Sequence, residues 1–155
     1  MQLDFNLPER FDLGFVNEQW EKERPVVIHR AISGSLERFI GVAIENFAWA
    51  FPVWMAPTQV MIVPVAEVFT DYAYELHWKL KTENLRVKVD TTDDSFSKKI
   101  RNAELLKIPY ILIVWEKEQT SDTVSVREFK SKAQYEMPVS ELMAKVVKER
   151  DERSL

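Results

Sequence analysis

Two histidines, His29 and His77, and no cysteine make up the soft or borderline metal ligands of this 155-residue chain. A zinc site needs three or four ligands at close spacing, and the sequence shows no such cluster. His29 ends the apolar run PVVIH and reads by itself as a structural or solvated histidine; His77, beside Trp78, reads the same way. Ser33-Gly34-Ser35 precedes a helical pattern. Free amides at a helix start can hold an anion, but an ordinary cap explains this triplet equally well. Asp90, Asp93 and Asp94 lack the spacing and terminal Glu of a calcium loop, and read as a turn and a helix start. Lys98, Lys99, Arg101 and Lys107 give residues 95–107 a basic side. A solvated face is the common explanation of such a side, and phosphate or base contact is the alternative. Glu116, Glu118 and Arg127 fall at strand ends beside that helix. There carboxylate and guanidinium groups can read base edges.

The elements that must position these groups follow from periodicity. QLDF and PVVIH read as two strands joined by a hairpin-like loop. Leu36, Phe39, Ile40, Ala43, Ile44 and Phe47 recur at helical spacing over 35–48, with Ser35 as the N-cap. AFPVWMAP then breaks the pattern with two prolines, which sets a boundary near residue 56. Beyond it, strands are expected at 59–65, 85–90, 110–115 and 123–129, and helices at 67–83, 95–107 and 138–149. YILIVW is a continuous apolar run, as a strand covered on both faces should be. The order β-α-β-α-β-β-α predicts an α/β fold with an open, mixed sheet and flanking helices, preceded by a strand-strand-helix segment.

Bulk properties narrow the classes. No run of about 18 or more apolar residues is present, so no membrane span is expected. The opening MQLDFNLPERF is not a secretory signal. Absence of cysteine excludes disulfides and permits a reducing cytosol. A net charge of −4 argues against indiscriminate polyanion binding, because such affinity needs many cations to displace counterions. Only three glycines are present, so turns with positive φ must use Asn or Asp. From the residues alone, a domain with an RNA face and a small-molecule-binding domain both remain open.

RPVVIHRAISGSLERFIGVAIENFA, residues 24–48, resembles motif 3 of class II aminoacyl-tRNA synthetases in its threonyl-tRNA synthetase form. QLDFNLPERFDL resembles the segment just upstream. FPVWMAPTQVMIVPV, KKIRNAELLKIPYILIV, EKE and TVSVRE carry the likeness through the anticodon-binding domain, so it covers nearly the whole chain. The resemblance implies a C-terminal fragment: residues 1–55 as the end of a class II catalytic domain and 56–155 as an anticodon-binding domain. It implies that Arg38 contacts ATP, that Gln2 and Ser35 line the threonine and adenylate pocket, and that His29 is one of three zinc ligands. It further implies that Arg101, Glu118 and Arg127 read the anticodon. Asp93 stands where many bacterial members have Asn, an exchange of a donor-acceptor for an acceptor. The expected partner is the anticodon stem-loop of tRNA(Thr), in the cytoplasm, with no membrane and no DNA.

Departures from the pattern qualify this. Motifs 1 and 2 and the other two zinc ligands are not in the sequence, so no cofactor is expected in this chain. ATP with Mg and Zn belongs to the full-length relatives, and aminoacylation by this chain alone is not expected. Trp49 in AWAFP and Trp115 in VWEKE stand where the family usually has Gly. Each adds apolar area and forfeits easy access to positive φ. Two such changes read as deliberate alteration that builds an interface or pocket, with divergence and local repacking as the other reading. The alternative function is therefore a self-associating, homodimeric or redesigned scaffold without retained activity.

Overall fold

The computed structural model describes residues 1–32, 34–116 and 121–155. They form two compact units, Met1–Ala43 and Ile44–Leu155.

In the first unit, β1 (Gln2–Asp4) pairs antiparallel with β4 (Val27–His29), which sets Gln2 opposite His29. The intervening stretch is more than the expected loop. It contains α1 (Asn6–Arg10) and a two-residue ladder between β2 (Phe15–Val16) and β3 (Lys22–Glu23). The Asp4 carboxylate accepts from the amides of Asn6 and Leu7, at 2.9 and 3.0 Å, which starts α1 directly after β1. Ser35 Oγ accepts from the Arg38 amide at 3.4 Å at the start of α2 (Leu36–Phe47), as its N-cap role predicts. Leu36, Phe39 and Ile40 on α2 are exposed.

The second unit holds a five-stranded mixed sheet in the order β6-β5-β7-β8-β9. Its strands are β5 (Val60–Pro64), β6 (Val87–Val89), β7 (Tyr110–Val114), β8 (Thr123–Glu128) and β9 (Gln134–Pro138). β5 runs parallel to β6 and β7, and β8 and β9 continue antiparallel. Among the described residues, α3 (Thr70–Thr82), α4 (Phe96–Leu105) and α5 (Val139–Asp151) accompany them, with a 3-10 turn at Glu67–Phe69 before α3. β9 was not expected. QYEMP alternates weakly and its side chains are only partly buried, so its pairing with β8 is what makes it a strand.

Alternation along the central strands divides the core. Ile62, Leu112, Val114 and Val126 face Leu76 and Leu80 of α3 and Leu142 of α5. Met61, Val63, Ile111 and Ile113 face Ile100 and Ala103 of α4. Both β5 and β7 are buried along their whole length, which is why they read as continuous apolar runs. Leu106 is the C-cap of α4 and is exposed. The linker before β5 is held by polar contacts: Arg86 donates to the carbonyls of Ala56 and Trp54, each at 2.9 Å. The fully buried Gln59 amide bridges the Val53 carbonyl and the Arg86 amide, each at 2.8 Å.

Left-handed backbone is not confined to Gly, Asn and Asp. Asn84, Asp12 and Asp122 adopt positive φ as anticipated, but so do Trp20, Ala48, Trp49, Lys107, Lys132 and Arg153. The scarcity of glycine leaves these turns with side chains that pay a steric cost.

Candidate nucleic-acid interface

Antiparallel register decides which way the β8 side chains point. Ile111 lies opposite Arg127 and Ile113 opposite Ser125, so Arg127 and Ser125 share the α4 face of the sheet. The next ladder puts Gln134 beside Arg127 and Glu136 beside Ser125. Over β5 and β7 this face is apolar and packed on α4; over β8 and β9 it turns polar. Gln134 Nε2 donates to Ser125 Oγ at 3.4 Å across that polar half.

α4 supplies the adjoining wall. Ile100 and Ala103 point into the core, which turns Glu104 and Arg101 to one flank, three residues apart. Glu104 Oε1 pairs with Arg127 Nη2 at 2.5 Å, with both side chains a little over a third exposed. This contact identifies the flank as the one toward β8 and β9, and therefore brings Arg101 and Arg127 to a common surface with Glu104 between them. A guanidinium held by one carboxylate oxygen keeps further N–H donors for another acceptor. A donor fork beside a carboxylate complements the mixed donor and acceptor edge of a base.

The expected basic side of α4 is dispersed. Lys98 pairs with Asp94 at 2.7 Å, Lys99 donates to the Asp90 carbonyl at 3.5 Å, and Lys107 donates to the Ala48 carbonyl. Helical spacing separates these cations to different flanks, where each meets a local acceptor. Arg101 alone of the four has no partner among the described residues. Asp90 and Asp94 secure the loop before α4, with Asp90 Oδ1 accepting from the Thr92 amide at 3.1 Å. Asp93 is exposed in that loop, at the carboxyl end of β6 and about one helix length (~15 Å) from the Arg127 end of α4. Glu118 lies outside the described residues.

Trp115 directly follows β7 and is half-exposed. Trp49 lies at the opposite end of β7, since its neighbour Ala48 is bound by Lys107 just before that strand begins. The two tryptophans are separated by the length of the strand, so they do not form one patch. Trp49 has φ 69°, which is the left-handed conformation a glycine would take without strain, and its ring meets Phe51 edge-on at 6.5 Å.

In the first unit, the structure joins His29 to Asp4, with Nε2 2.8 Å from Oδ2. The Leu7 amide, followed by the His29 ring, holds the Asp4 carboxyl below its usual value. Ser35 Oγ donates to Glu37 at 2.6 Å and holds that carboxyl down as well. Arg38 is exposed on α2. No hydrogen bond or ion pair among the described residues links Ser35 or Arg38 to the Gln2–His29 pair. No group of three or more His, Cys, Asp or Glu among the described residues could hold a metal ion.

Sequence reasoning missed Glu104, Ser125 and Gln134. The three-residue spacing of Arg101 and Glu104 was legible, but Gln134 required β9.

The anticodon binding domain model matches residues 59–149. This chain belongs to the anticodon binding domain family. The tRNA synthetase class II core domain model (G, H, P, S and T) matches residues 1–47. Threonine–tRNA ligase of Chloroherpeton thalassium is 49% identical over 91% of this chain and 21% of its own length. The Thermus thermophilus enzyme is 46% identical over all of this chain and 24% of its own length. The chain thus spans a quarter or less of the length of the curated relatives it matches. Among solved structures, the RNA binding domain of threonyl-tRNA synthetase from Cryptosporidium parvum Iowa II aligns at TM-score 0.70 and 32% identity. That alignment covers 95% of this chain and 37% of the other. Prolyl-tRNA synthetase from the same species shares the fold, at TM-score 0.66 and 23% identity over 95% and 32%. No helix among the described residues is long and apolar enough to cross a membrane.

Proposed function

We propose that this chain recognises the anticodon stem-loop of tRNA(Thr) as part of a threonine–tRNA ligase in the cytoplasm. The observation that carries the reading is the Arg127–Glu104 pair on the open half-face of the sheet, with Arg101 on the same flank of α4. In this reading residues 56–155 contribute RNA recognition. Arg38, Gln2, Ser35 and His29 belong to a catalytic site, with ATP, Mg and Zn, that is complete in the full-length ligase. Asp93, at the carboxyl end of the parallel strands, contributes a further contact, and Glu118 is a further anticodon-reading residue.

The test is binding of the chain to a threonine-tRNA anticodon stem-loop and to a scrambled loop across a salt series. Arg101→Ala and Arg127→Ala should each weaken the cognate loop by about tenfold or more, and the scrambled loop far less. With about three phosphate contacts, the salt slope should be near −2. Equal losses on both loops would remove the claim of anticodon reading.

A further inference from the structure

At the end of the sheet remote from the carboxyl ends of β5 and β7, the second unit encloses a cavity of about 890 Å³. Its walls come from the linker after α2, the start of β7, the β8–β9 turn and the last turns of α5. The interior is aromatic and apolar, formed by Phe47, Phe51, Pro52, Pro109, Tyr110 and Phe129. This volume and lining suit a small molecule.

The polar groups of the cavity divide into two sets. The deep ones are satisfied internally. Tyr110, 4% exposed, donates through its hydroxyl to Glu149 at 2.8 Å; burial, and then Glu149, push its pKa up. Glu128 accepts from Lys145, from the Tyr135 hydroxyl and from Ser131. Each of these already has a partner within the protein. The rim set differs. Lys130, Lys132 and Lys148 border the opening against one acidic rim residue, Glu152. Lys132 and Lys148 are exposed and have no partner among the described residues. Lys130 Nζ donates to the Leu155 main-chain oxygen at 2.7 Å.

An aromatic interior with internally paired depths and an excess of rim ammonium groups suits one ligand shape. We propose that this cavity is a binding site for a small amphipathic anion: a flat aromatic or alkyl body seated between Phe51, Phe129 and Tyr110, with a carboxylate, sulfonate or phosphate held by Lys132 and Lys148. The site lies on different elements from Arg101 and Arg127 and does not rest on the RNA reading.

Anilinonaphthalene sulfonate serves as the probe, titrated into the full chain and followed by amide-resolved NMR. Saturable one-to-one binding is expected, with shifts at Phe51, Phe129 and Lys148. The double variant Lys132→Glu/Lys148→Glu alters only exposed side chains and should weaken the probe by about tenfold or more, while stem-loop affinity stays unchanged. Phe51→Ala should weaken it by a similar factor with the rim intact. Uncharged phenylnaphthylamine should bind at least about tenfold less tightly than the sulfonate. The proposal is overturned if shifts fall on the exposed apolar residues of α2 while the cavity amides stay still. It is also overturned if charge reversal leaves the affinity unchanged, or if the same reversal abolishes stem-loop binding.

Discussion

Replacing Glu128 by Gln removes a negative charge from a densely hydrogen-bonded carboxylate of the second unit while keeping its shape. Glu128 is only 17% exposed and accepts from Lys145, Tyr135 and Ser131, the last at 2.6 Å. Burial pushes its pKa up, but the hydrogen bonds from Lys145, Ser131 and Tyr135 outweigh it and hold the carboxyl down at about 2 against a usual 4.5. The Lys145 ammonium is pushed up in turn: its desolvation opposes this, and the Glu128 contact prevails. At 1.36 kcal/mol per tenfold change in proton affinity, the Glu128 depression corresponds to roughly 3 kcal/mol, reduced by residual solvent screening to about 2 kcal/mol. Because the folded-state pKa is lowered, this stabilisation is fully present above about pH 4.5 and is lost as pH falls toward 2. Glu128→Gln mimics the protonated state, so its deficit should be about 2 kcal/mol at pH 7 and shrink steadily below pH 4.5. Urea unfolding of both proteins from pH 7 to 2.5, with exchange of the Val124 and Val126 amides reporting the second unit, measures the gap. Other carboxylates titrate in both proteins and cancel in the difference. A gap that does not change with pH, or one under about 0.5 kcal/mol at neutrality, would refute the reasoning.

Other perturbations test other links in the structure. At Trp49, with φ 69°, Gly should be more stable than Ala by about 1 kcal/mol, the reverse of the ordinary ranking, as measured by urea midpoints of the two variants. Leu112→Ala empties a fully buried position between α3 and α5 and should cost about 3 kcal/mol in the same assay. Arg86→Met strips donors from the Ala56 and Trp54 carbonyls; we expect a loss of about 1–2 kcal/mol and faster amide exchange across 53–56.

Local sequence determined much of the second unit because its two periodicities are strong. The apolar runs VMIVP and YILIV could only be strands buried on both faces, and Ile100 and Ala103 sit on one side of a helix whatever that helix packs against. The likeness at Arg101 and Arg127 marked both as candidates. That they share one surface was decided by register, since a one-residue slip of β8 would turn Arg127 to the α3 and α5 face. The strand β9, the Glu104 contact and the lysine-rimmed cavity were invisible for the same reason. Each depends on segments distant in sequence meeting in space, as Lys145 meets Glu128 and Lys107 meets the Ala48 carbonyl. Residue types and spacing carry hydrophobic period and charge, which are local. The direction in which a charged side chain finally points is set by which backbone pairs with which, and only the folded sheet decides that.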